Sequence, residues 1–223
     1  MTHRRLMPSI AALAMFAVAA LGARFLSADE PAGAALASLK PGQTANLFDG
    51  KTLAGWKTSD FAGHGNVDIE DGKILLEIGT ELTGITWAGS LPKVDYEITL
   101  EAMRVEGHDF FCGLTFPVGD SPCSLIVGGW GGSTVGLSSV DGLDASENET
   151  ASYRSFKDNQ WYTIRVRVTG KQIQAWIDKE QVVDLDYRDR KISIRFEVEP
   201  SEPLGIATWC TGAALRNIRL KKL

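Results

Sequence analysis

The chain has little of what usually announces a cofactor or a covalent framework. Its 223 residues include three cysteines, three histidines and four methionines. Cys112, Cys123 and Cys210 form no CxxC unit and have no second ligand pair beside them, which argues against zinc. They define no disulfide framework either. Cys112 and Cys123 fall on sequential strands and either pair across a hairpin, in an oxidising compartment, or stay as buried thiols. Basic excess is also missing: the formal net charge is −5, and setting aside Arg4, Arg5 and Arg24 makes the remainder more acidic. That speaks against nucleic acid as a partner. Beyond the N-terminus no apolar run could span a bilayer, and no long amphipathic helix pattern interrupts the chain.

The N-terminus is different in kind. Arg4 and Arg5 precede an alanine-rich apolar run from Ser9 to Gly22, and Leu26-Ser27-Ala28 offers small residues at a cleavage point. Residues 1–28 therefore read as an export signal, and residues 29–43 as a flexible lead. The apolar run is shorter than the ~20 residues a membrane span needs, so an uncleaved anchor is the minor alternative. This predicts an exported protein, periplasmic, extracellular or held at the cell envelope. Residues 44–223 then form one domain, long enough for one substantial core.

Within that domain the dominant signal is period-two alternation. Val94, Tyr96, Ile98, Leu100 and Ala102 share one face, with Asp95, Glu97, Thr99 and Glu101 on the other. Asp71-Gly72 sits between two such runs and marks a hairpin. Trp161 to Thr169, Lys171 to Asp178, Ile192 to Val198, Gly205 to Cys210 and Ala214 to Leu220 repeat the pattern. Many strands with one apolar face each predict an all-β protein. Two antiparallel sheets packed as a β-sandwich, a jelly roll of the concanavalin-like lectin and glucanase type, fit the strand number best.

The stretch from Gly107 to Gly136 is the most unusual. Phe110, Cys112, Leu114 and Phe116 alternate with Phe111, Gly113 and Thr115, so both faces of that strand are largely apolar. The following strand ends in GGWGG, where Trp130 is either a ligand platform or a packing anchor. After it, Asp141, Asp144, Glu147 and Glu149 fall in a long polar loop and offer oxygen ligands for a divalent metal such as calcium, without matching a known calcium loop. Asn148-Glu149-Thr150 fits an N-glycosylation acceptor, which matters only in a eukaryotic export pathway.

Two end motifs, LFDGKTLAGW at 47–56 and AALRNIRLKKL at 213–223, bracket VDYEITLEAMR and DNQWYTIRVRVTGKQIQAWIDKEQVVD in between. Together they resemble the bacterial 3-keto-disaccharide hydrolase domain family over roughly Asn46 to Leu223. The resemblance implies a concanavalin-like sandwich, export, carbohydrate handling and hydrolysis of 3-keto-glycosides. Many members have an Asn-Ser-Gly motif with an aromatic pair and arginine where this chain has His108-Asp109-Phe110-Phe111-Cys112-Gly113, and CSLIVGGWGG also departs from the family pattern. No catalytic residue is therefore carried over.

Sugar recognition needs flat aromatics for a pyranose face and polar groups for hydroxyls. Gln174 and Trp176 share the non-core face of one late strand, and Arg195 and Glu197 that of another; Asp95, Glu97 and Arg165 could join them. Trp130, Trp209 and Arg154 are further candidate substrate contacts. Direct glycoside hydrolysis wants two carboxyl groups, for which Asp109, Glu147 and Glu197 are candidates. A 3-keto sugar allows elimination across C1–C2 instead, which needs a base and an electrophile. His108 with Asp109 supplies a base and its orienter or a metal pair, His64 a second base, and Arg154 or Arg195 the cation. The function predicted is a secreted carbohydrate-active protein acting on keto-glycosides. The alternatives are a non-catalytic carbohydrate-binding module and an envelope interaction module.

Overall fold

The computed structural model describes Met1, Leu36 and residues 39–223. The proposed leader therefore lies outside the described residues apart from Met1, as does most of the 29–43 lead. The end of that lead is packed: Leu36 is buried in the core, and the Gly42 N–H donates to the Lys222 carbonyl at 2.8 Å. Among the described residues no helix is long and apolar enough to cross a membrane.

Two antiparallel sheets form a jelly-roll sandwich. One runs in the order β13 (Glu180–Asp186), β12 (Gln172–Ile177), β11 (Tyr162–Val168), β6 (Tyr96–Gly107), β15 (Thr211–Lys222), β4 (Lys73–Leu76), β3 (Val67–Glu70), with β1 (Thr44–Asn46) also pairing β15. We call it the back sheet. The front sheet runs β10 (Ser152–Tyr153), β9 (Thr134–Ser138), β8 (Ser121–Gly128), β7 (Cys112–Val118), β14 (Gly205–Trp209), β5 (Leu82–Trp87), β2 (Trp56–Thr58). The alternation read from the sequence holds in β6, where Tyr96, Ile98, Leu100 and Ala102 are fully buried. Ile98 and Leu100, taken from water, contribute about 1.5–3 kcal/mol each. Asp71 and Gly72, both left-handed, make the two-residue turn between β3 and β4.

The front sheet is what positions the site. On its inward face Cys123, Leu125 and Val127 of β8 meet Leu114 and Cys112 of β7. The register sets Cys112 opposite Val127 and Cys123 opposite Phe116, so the two thiols do not face each other and both remain free. Burial pushes the Cys123 thiol up to about 12 and raises Cys112 as well.

Two expectations change here. The strand expected over Ile192–Val198 does not form beyond a single bridge at Ile192; the chain instead makes a 3-10 turn over Phe196–Ser201. Pro200 inside that segment has no N–H to give a sheet ladder. The turn lies across β5 and β14: the Thr86 hydroxyl donates to the Pro200 carbonyl at 2.7 Å. Phe110 does not continue the inward face of β7. It precedes the strand and folds outward, so that a Cβ on Gly113 would come within 3.0 Å of its ring.

Candidate functional site

The outward face of the front sheet is a ladder of small and polar residues. Gly84, Ala207, Gly113, Ile126 and Gly136 are successive cross-strand neighbours, and Ser124 pairs with Ser138 one step along. Small side chains leave room for covering segments, and three arrive: the 3-10 turn, the Asp109–Phe110 corner and the glycine bend after β8. Between them is a cavity of about 230 Å³. Leu82, Ile126, Phe110, Val198, Trp130 and Trp209 supply its apolar walls, and Ser124, Ser138, Asp109, Arg195 and Glu197 its polar ones.

The bend is built to hold an aromatic out of the core. Gly128, Gly131 and Gly132 have φ of 82°, 85° and 105°, and Trp130 itself is left-handed at φ 48°. A left-handed tryptophan is an uncommon and costly conformation. It is maintained by the neighbouring corner. The Asp109 carboxylate accepts the Phe110 N–H at 2.7 Å on one oxygen and the Gly131 N–H at 3.0 Å on the other. Trp130 remains 45% exposed, so the bend presents its ring rather than burying it.

At the other side Arg195 donates from Nη1 to Asp144 at 2.5 Å, and from Nη2 and Nε to Glu197 at 2.8 and 3.2 Å. Asp144 is itself held by the Ser138 hydroxyl at 3.1 Å, which ties this ion-pair group to β9. The Arg195 hydrogen bond, against a smaller effect of burial, holds the Glu197 carboxyl below the usual range. Glu197 is therefore ionised at neutral pH and carries no proton to give a leaving group. Three of the guanidinium's five N–H groups are used in these contacts.

The candidates thus separate into two groups. Asp109, Trp130, Arg195, Glu197 and Trp209 come together on the cavity. His108 is solvent-exposed and does not line it, so the His108–Asp109 pairing does not form a base and its orienter there. His64 is also exposed, its Nδ1 at 2.8 Å from the Gly65 carbonyl. Arg154 lies elsewhere, paired with Asp178 and Glu180 at 3.2 and 3.1 Å. Gln174 and Trp176 are on the outward face of the back sheet; Gln174 donates to Asp184, and the Arg165 guanidinium sits 4.0 Å over the Trp176 ring. Glu97 lies there too, with Arg167 at 2.8 Å. These residues cannot join Arg195 and Glu197, because the segment carrying the latter is no neighbour of β12.

In the acidic loop Asp141 and Glu149 are ion-paired with Arg190, and Asp144 with Arg195. Among the described residues no three His, Cys, Asp or Glu side chains cluster to hold a metal. Asn148 is buried and its amide donates to the Leu137, Leu143 and Asp144 carbonyls, which removes it as a glycan acceptor in the folded protein.

Sequence reasoning missed Leu82, Phe110, Ser124, Ile126, Ser138 and Val198 as cavity residues. The alternation in β8 was the available signal: with Cys123, Leu125 and Val127 inward, Ser124 and Ile126 must face out.

No curated protein sequence matches the chain. Among solved structures it is similar to a candidate glycosyl hydrolase from Parabacteroides distasonis ATCC 8503, at a TM-score of 0.51 and 14% identity over 81% of this chain and 94% of the other. It is also similar to the β-glucanase of Bacillus licheniformis, at 0.51 and 12% over 82% and 99%. Crh5 transglycosylase in complex with NAG matches at 0.53 and 13% over 82% and 84%. At these identities the likeness is one of fold. The family model for the 3-keto-alpha-glucoside-1,2-lyase-like domain matches residues 43–221, four-fifths of the chain, and the protein belongs to that family.

Proposed function

We propose that the cavity binds a glycoside and, where the sugar carries a ketone at C3, breaks its glycosidic bond by elimination. The observation that carries this reading is the presence of the Asp109 carboxylate and the Arg195 guanidinium on one cavity walled by Trp130 and Trp209. The ketone acidifies the C2 proton, so a carboxylate suffices as base. Asp109 takes that proton, and the electron pair moves to the C3 oxygen as an enolate. An N–H of Arg195 donates to that oxygen as charge develops. The enolate then collapses, the C1–O bond breaks, and the leaving oxygen takes up a proton, either from water or the one Asp109 removed from C2, giving a C1–C2 double bond and, once that proton is returned, a regenerated Asp109 carboxylate. Water adding across that bond completes net hydrolysis. Direct two-carboxyl hydrolysis fits less well, because it needs a protonated acid and Glu197 is held ionised by Arg195.

The family name, which specifies a 3-keto-glucoside and a 1,2-lyase, supports the same chemistry. The structural neighbours named as a glucanase and a transglycosylase support the coarser part, a carbohydrate as ligand. The basic, apolar and small-residue order of residues 1–28 supports action outside the cytoplasm. One observation favours binding without turnover as the second reading. Arg195 is already balanced by Asp144 and Glu197, which weakens it as an electrophile. The test is incubation of purified protein with matched 3-keto and unmodified glycosides, with and without divalent metal. Sugar release from the keto substrates alone supports elimination; binding with no release under any condition leaves the second reading.

A further inference from the structure

The cavity is not evenly polar, and its asymmetry bears on the part of the glycoside that is not sugar. Ser124 and Ser138 are cross-strand partners at the β8–β9 end, where Asp144 links Ser138 to Arg195, and Asp109 is the polar group at the Phe110 corner. The wall beyond is mostly hydrocarbon. Leu82 and Ala207 form a small cluster with Phe61, and Phe110, Val198 and Trp209 pack against it, separate from the sandwich core. Ile126 extends this wall toward the bend, where a Cβ on Gly129 would come within 2.7 Å of its Cγ2.

One pyranose ring can satisfy its hydroxyls with Ser124, Ser138, Asp109, Arg195 and Glu197. A second sugar ring in the same cavity would set its hydroxyls against Leu82, Ile126, Phe110 and Val198. A hydroxyl taken from water and left unpaired costs about 1–3 kcal/mol. At about 230 Å³ the cavity is also below the ~300 Å³ lower end of ordinary ligand pockets.

We infer that the ligand of this cavity is a glycoside with an apolar, aryl or alkyl aglycone rather than a disaccharide, the aglycone lying on the Leu82–Phe110–Val198–Trp209 wall. This rests on the reading of the cavity as a glycoside site and specifies its substrate class. The apolar wall serves as a specificity device: it accepts a leaving group without hydroxyls and rejects one that has them.

The probes are benzyl 3-keto-glucoside and a 3-keto-glucosyl disaccharide, both of which release an alcohol, so leaving-group acidity does not favour either strongly. Dissociation constants come from quenching of tryptophan fluorescence, and turnover from released alcohol or sugar. The benzyl compound is expected to bind at least tenfold more tightly. Val198→Thr, which keeps the shape and adds a hydroxyl, is expected to narrow that gap about threefold with an unchanged melting temperature. Tighter benzyl binding without turnover supports the inference while removing the elimination reading. Equal or tighter binding of the disaccharide overturns the inference, whether or not turnover occurs. A Val198→Thr protein that keeps the full gap overturns the assignment of the wall, and no binding of either probe removes the site altogether.

Discussion

Arg195 shows how one side chain can organise a site and limit it. It bridges Asp144 on the long loop and Glu197 on the 3-10 turn, so the cover over the front sheet is fastened by charge as well as by packing. Glu197 has a lowered pKa in the folded protein, chiefly through the Arg195 hydrogen bond. The sign follows: a depressed carboxyl contributes stability above its ordinary value of 4.5, and that contribution is lost as pH falls through the lowered folded value. The contribution of Glu197 to ligand affinity should therefore be constant around neutral pH and weaken only as pH falls below the ordinary carboxylate value. Titration calorimetry or tryptophan quenching across that range would check it; a break near pH 6–7 would point to a different group. The residue-level surprise is Asp109. Its neighbour His108 drew attention as a base, yet the carboxylate does the positioning through the Phe110 and Gly131 amides.

At the scale of elements, the glycine bend after β8 is held against its own backbone preference. Trp130 at φ 48° should cost about 1 kcal/mol relative to a residue at ease there. Trp130→Gly removes that cost but gives up the buried part of a side chain that is 45% exposed, so the two effects oppose. The variant should melt close to the wild-type temperature while binding glycosides at least tenfold more weakly. A marked drop in melting temperature would instead make Trp130 a packing anchor. Strands with one clean face were legible from sequence, because burial on one side forces alternation, as in β6 and β11. The segment carrying Arg195 was not. Ile192, Ile194, Phe196 and Val198 alternate like a strand, but pairing stops at Ser193, which exchanges hydrogen bonds with Ser139, and Pro200 lies in the 3-10 turn that follows. Phe110 was misplaced for a related reason: alternation cannot reveal where a strand begins, and this one begins at Cys112.

For the whole molecule, the sandwich separates scaffold from site. The back sheet contributes its inward face to the core, while its outward face is stapled by contacts such as Arg167 with Glu97 and Arg216 with Glu101. The Arg165–Trp176 stack belongs to that face and lies on the sheet that does not carry the cavity. Trp176→Ala should therefore leave glycoside affinity within twofold of wild type, checked by the same quenching assay. Fold and ancestry were legible from the bracketing motifs because these run along structural strands and turns. The site was less so, because it is assembled from three covering segments that meet only in space. The central claim is that Asp109 removes a proton made acidic by a C3 ketone. It is tested most directly by comparing wild type and Asp109→Asn on a 3-keto-glycoside and its unmodified parent, measuring released aglycone. The account predicts release from the keto compound alone, falling about 10²–10⁴-fold in the variant at saturating substrate; affinity is measured separately, because Asn offers one acceptor oxygen where the carboxylate accepts two amides. Equal release from the unmodified parent, or wild-type turnover by Asp109→Asn, would contradict it.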